Sequence, residues 1–76
     1  MSELAELDAR GLLCPMPVIR TQDKIKTLSP GAHLLVTCTD PGTKQDIPAW
    51  CRVHGHTLFR QWQDGDTFQF QIVVAQ

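Results

Sequence analysis

The sequence predicts an α+β fold: a two-layer α/β sandwich of order βαβαββ, with a mixed four-stranded sheet carrying two helices on one face. Three observations lead there. Two stretches, near 14–28 and 43–54, place apolar residues at helical spacing between proline and glycine boundaries. The last third holds two alternating stretches around Asp64-Gly65-Asp66, and Asp-Gly between strand patterns is a strong short-range hairpin signal. Finally, 76 residues allow a single domain, taken as 1–76, whose core is thin, so its chemistry must sit near the surface.

The elements follow in order. Residues 4–8 alternate apolar and acidic side chains and end at Gly11, which reads as a first strand. Cys14-Pro15-Met16-Pro17 then opens a helix running to about Leu28, because proline fits a first helical turn where its missing N–H would be unpaired anyway. Val18, Ile25 and Leu28 supply its apolar face, with Ile19 beside them, and Ser29-Pro30-Gly31 stops it. Residues 33–39 are rich in Leu, Val and Thr, with Leu34, Val36 and Cys38 on one strand face. After Asp40-Pro41-Gly42, either Thr43 or Asp46 caps a second helix. That helix has Pro48 in its first turns, Ile47, Trp50, Cys51 and His54 at helical spacing, and Gly55 as its stop. Residues 57–63 and 67–74 form the hairpin, the latter with Phe68, Phe70, Ile72 and Val74 on one face.

A β-α-β crossover makes the first two strands parallel and right-handed, and two helices cover only one sheet face. The loops after strands one and two therefore share one end of the sheet. Cys14 and the 40–43 loop become neighbours.

Composition narrows the function. Apolar residues make up 42% of the chain and charged residues 20%, too apolar and too weakly charged for a disordered tail. The net charge is −1, with seven basic residues scattered among eight acidic ones, so no basic stripe marks a nucleic-acid footprint. The first ten residues carry Glu3, Glu6 and Asp8 and lack a basic segment leading into an apolar one, so no secretory signal is expected. No apolar run approaches membrane-spanning length. Three irregularly spaced cysteines, Cys14, Cys38 and Cys51, do not form an even disulfide framework, and reduced thiols in the cytoplasm are expected.

Cys14 stands at the N-cap position just before Pro15. The positive end of the helix dipole would favour a thiolate or a persulfide there. Pro15 and Pro17 stiffen the turn and remove two first-turn donors, leaving the Met16 and Val18 amides to face the sulfur. A small buried hydrophobe is the competing reading of this cysteine, as it is for Cys38 and Cys51, which lie on inward-looking faces. Arg10 reads equally as support for an anionic sulfur and as a solvated surface arginine. Asp40 and Asp46 read as a turn residue and a cap, with a supporting role at the thiol as the alternative.

His33, His54 and His56 should lie at the sheet end away from Cys14, which argues against a Cys-His nucleophile. Cys51-x-x-His54-x-His56 lacks an evident fourth ligand, so neither a metal nor another cofactor is expected. Trp50 and Phe68 read as core, and Trp62 as half exposed.

The run Leu7-Asp8-Ala9-Arg10-Gly11-Leu12-Leu13-Cys14-Pro15-Met16-Pro17 resembles the signature of the TusA/SirA-like sulfur carrier family, in which a short strand and a glycine turn lead into Cys-Pro-x-Pro. Asp40-Pro41 and Asp46-Ile47-Pro48-Ala49-Trp50-Cys51 resemble the start of that family's second helix, and Gly55-His56 its end, so the likeness is collinear from Leu4 to about Val74. The resemblance implies the βαβαββ sandwich, a persulfide carried on Cys14, a cysteine desulfurase or rhodanese-like protein as donor, and a downstream sulfur-relay protein as acceptor. The pathways it implies are tRNA 2-thiouridine synthesis, without direct nucleic-acid binding, or sulfur oxidation. The variable position is Met16 here, where the tRNA-thiolation branch can carry an acidic residue.

Two other functions compete. One is a non-catalytic interaction module that uses the bare sheet face or the first helix. The other is a thiol-disulfide protein in which Cys38 resolves Cys14, weakened by the lack of a second cysteine close in sequence.

Overall fold

In the computed structural model, which describes residues 4–75, six elements follow in the expected order. They are β1 (Leu4–Ala9), α1 (Met16–Ile25), β2 (His33–Cys38), α2 (Thr43–His54), β3 (Thr57–Asp64) and β4 (Thr67–Val73). Glu3 of the acidic start lies outside the described residues.

The four strands form one mixed sheet in the order β1-β2-β4-β3. β1 runs parallel to β2, from Leu4 opposite His33 to Ala9 opposite Cys38, while β2–β4 and β4–β3 are antiparallel. Strict alternation places Leu34, Val36 and Cys38 directly across from Ile72, Phe70 and Phe68, and all six side chains are buried. α1 packs on β1 and β2, α2 packs on β3 and β4, and the helices touch each other, so both lie on this one face.

The first helix is shorter than its pattern predicts. It starts at Met16 with Pro15 as N-cap and ends at Ile25, and tight turns through Thr27 and Leu28 follow it. Its buried row is Pro17, Thr21 and Ile25, spaced four apart, with Val18 and Leu28 only partly buried and Ile19 exposed. Thr21 reads as polar in sequence but is tolerated in the core because its hydroxyl donates to the Pro17 carbonyl at 2.8 Å.

α2 is capped by Gly42 rather than by Thr43 or Asp46. Thr43 is already helical and buried, and its hydroxyl donates to the Asp40 carbonyl at 2.7 Å. Asp46 falls in the first turn, leaving its carboxylate available to another partner. The helix ends at Gly55, held at φ 77°, where its N–H reaches the Cys51 carbonyl. We expect Gly55→Ala to lower stability by about 1 kcal/mol, because an L side chain is strained in left-handed backbone even with open space around it. The urea midpoint measures this, and an unchanged midpoint would show that the turn relaxes freely.

The hairpin turns at Gly65 and Asp66, between the paired Asp64 and Thr67. β3 is an edge strand with a bulge between Leu58 and Arg60, and its outer side chains are exposed. There the Arg60 guanidinium lies 4.8 Å over the ring of the half-exposed Trp62. Among the described residues, no helix is long and apolar enough to cross a membrane.

Candidate functional site

The parallel pairing of β1 and β2 sends both following loops to the same sheet end, and hydrogen bonds tie them together. The Gly11 N–H donates to the Thr39 hydroxyl at 2.9 Å. Asp40 bridges the loops: one carboxylate oxygen accepts the Gly42 N–H at 3.2 Å and the other accepts the Cys14 N–H at 2.8 Å. The sulfur itself is the third link, since the Cys14 thiol donates to the Asp46 carboxylate at 3.0 Å. Asp46 stands 32 residues further on, so only the fold brings this pair together.

Cys14 is exposed, whereas Cys38 and Cys51 are buried. Burial raises both core thiols to about 11, with Asp40 adding to the rise at Cys38 and a hydrogen bond with Thr43 opposing it. Neither core thiol is accessible as an anion near neutral pH.

The electrostatics at Cys14 run opposite to the sequence expectation. The hydrogen bond to Asp46 raises the thiol above its ordinary value, and desolvation and the charges of Asp46 and Asp40 push in the same direction. A helix end that favours a thiolate is outweighed by two nearby carboxylates, because a carboxylate accepts from S–H and repels S⁻. The helix end is also less available than its sequence implies. Cys14 lies one residue before the N-cap, and the Met16 N–H is taken by the Leu13 carbonyl at 2.8 Å instead of facing the sulfur. A proton acceptor beside the thiol, absent from the local sequence, is therefore supplied by α2.

The remaining candidates separate from this cluster. Arg10 is paired with Asp8 through two contacts of 2.9 Å, and its guanidinium holds that carboxyl well below the usual range. Pro15 and Met16, which follow Cys14, are exposed, as is Leu13 before it at 72%, while Pro17 is buried in the first turn of α1, so exposed apolar residues flank the thiol along the chain.

His33 begins β2 at the sheet end away from Cys14. His54 lies at the far end of α2, about 12 Å along the axis from Asp46. The rings of His54 and His56 pack on Trp50 at 4.9 and 5.0 Å, and the His56 Nδ1 accepts the Ala75 N–H. Burial, followed by the proximity of His54, lowers the pKa of His56. Trp50 is only partly buried against the core, and its indole N–H has no partner. Among the described residues, no group of three or more His, Cys, Asp or Glu side chains is arranged to hold a metal ion.

A family model described as Sulfurtransferase TusA matches residues 5–74. YrkI of Bacillus subtilis is 46% identical over 66 residues, spanning 87% of this chain and 88% of that protein. The sulfur carrier protein TusA of Pseudomonas paraeruginosa is 44% identical over 68 residues, spanning 90% and 86% of the two chains. In fold, the chain is similar to the crystal structure of a SirA-like protein from Desulfitobacterium hafniense. The TM-score is 0.81 at 23% identity, covering 95% of this chain and 99% of that one.

Proposed function

The chain belongs to the sulfurtransferase TusA family, and from that premise we propose that it is a sulfur carrier, a single domain over 1–76 that holds sulfane sulfur as a persulfide on Cys14. The observation that carries the assignment to this residue is exposure: Cys14 presents its sulfur at the junction of two loops while Cys38 and Cys51 are sealed in the core. The Cys14 sulfur attacks the terminal sulfur of a donor persulfide. A new S–S bond forms at Cys14, the donor's S–S bond breaks, and the donor cysteine leaves as a thiolate that takes up the proton displaced from Cys14. Transfer onward repeats the exchange with an acceptor cysteine, so no outside oxidant or reductant is consumed.

The donor is a cysteine desulfurase or a rhodanese-like protein in the cytosol, and the acceptor is a second relay protein. Leu13 and Met16 give both partners an apolar contact beside the sulfur. Pro15 and Pro17 fix the turn that aims it. Exchange within this chain has no suitable resolving thiol, because Cys38 is fully buried. The direct test is intact-mass measurement after incubation with a cysteine desulfurase and cysteine. We expect a gain of about 32 Da that a reductant removes, as for other reversible thiol caps. Failure to gain sulfur from either class of donor would overturn the carrier reading and leave the interaction module.

A further inference from the structure

We propose that Asp46, backed by Asp40, acts as a charge filter at the Cys14 sulfur, so that the carrier takes sulfur from a persulfide whose donor surface brings its own cationic side chains and disfavours small free sulfur anions. The inference rests on the carrier reading and specifies the substrate class at the same site.

It starts from the groups that face the sulfur. On α2, the Asp46 carboxylate lies 3.0 Å from Sγ, and in the loop before α2, Asp40 holds the Cys14 N–H at 2.8 Å. The first turn of α1 carries no charged side chain, and the nearby cation of the preceding loop, Arg10, is paired with Asp8. On α2 the cation next to Asp46, Lys44, has its ammonium 5.6 Å from the centroid of the Phe68 ring, and among the described residues no ion pair joins a cation to Asp46 or Asp40, so two negative charges meet an approaching reagent. An anion such as thiosulfate approaches against that field, and so does a persulfide anion unless its own protein neutralises it.

The same carboxylate manages the proton. In the unloaded carrier, Asp46 accepts a hydrogen bond from the thiol and holds it neutral, which protects an exposed sulfur from adventitious oxidants. When Cys14 attacks, its proton passes to Asp46 as the S–S bond forms, and from there to the donor thiolate as the old S–S bond breaks. After loading, an anionic outer sulfur sits against Asp46. That repulsion makes the sulfur easier to give away to an acceptor.

The test compares alkylation of Cys14 by neutral iodoacetamide and anionic iodoacetate at low salt, in the wild type, Asp46→Asn and Asp46→Glu. Both reagents consume the same thiolate, so their rate ratio cancels its population and reports charge at the sulfur. We expect the amide-to-acetate ratio to be roughly fivefold higher in wild type than in Asp46→Asn, to be retained in Asp46→Glu, and to fall in wild type as salt is added.

The pH profile gives a second readout. Because the hydrogen bond to Asp46, then desolvation and the charges of Asp46 and Asp40, raise the thiol pKa, wild-type alkylation turns on at higher pH than that of an ordinary thiol, and Asp46→Asn must turn on at lower pH than wild type. A wild-type ratio indifferent to salt, or equal ratios in wild type and Asp46→Asn, overturns the filter. Sulfur loading by a desulfurase with no charge selectivity overturns the filter alone. Charge selectivity with no loading by any donor overturns the carrier reading alone.

Discussion

Cys14→Ser is expected to lose sulfur loading entirely while keeping its fold. The wild type gains about 32 Da from a desulfurase and cysteine, and the serine variant gains nothing. The two cysteines that remain, Cys38 and Cys51, are buried and have their thiols raised to about 11, so they offer no second loading site. The fold should survive because the side chain at 14 is exposed, a hydroxyl donates to Asp46 as the thiol does, and the N–H to Asp40 belongs to the backbone. Exposed substitutions of this kind change stability by about 0.5 kcal/mol or less. Paired thermal melts and intact-mass spectra separate the two effects. Equal loading of the serine variant would move the sulfur site away from Cys14 and refute the assignment.

The largest stability effect is expected at Phe70. Its side chain is fully buried on the central strand β4, opposite Val36 of β2 and Gln61 of β3, and it is the largest fully buried side chain of the core. Phe70→Ala removes a ring that a thin two-layer domain cannot replace by collapse, at a cost of about 3–5 kcal/mol. Small domains hold only about 5–15 kcal/mol in total, so the variant should unfold near room temperature or melt roughly 15–30 °C lower. Melting followed by circular dichroism measures this, and a fall of under about 5 °C would show that Phe70 is not central to the core.

Much of the fold is legible because its signals are local. The alternation in β2 and β4 names Leu34, Val36, Cys38, Phe68, Phe70 and Ile72 as inward residues, and they meet in register across one sheet. Asp64-Gly65 marks the hairpin because a turn is chosen by its own dipeptide. The parallel β1–β2 pair follows from crossover handedness, and the neighbouring loops follow from the pair. Boundaries are less legible. α1 ends at Ile25 and not near Leu28, and its core row runs through Pro17 and Thr21, since proline and threonine are not counted as apolar although each packs well once its polar atoms are satisfied.

The sequence by itself determined the order of elements, the composition of the core and the cysteine at the loop after the first strand, because period, turn chemistry and chain connectivity act over a few residues. The surroundings of that cysteine were decided by the tertiary structure alone. From sequence, Cys14 stands before a helix whose dipole should ionise it. In the folded protein, Asp40 and Asp46, which lie 26 and 32 residues away, close on its N–H and its sulfur and keep the proton there. Electrostatic fields fall with distance in space, not along the chain, so a carboxylate 3.0 Å away outweighs a helix end inferred from the adjacent residues.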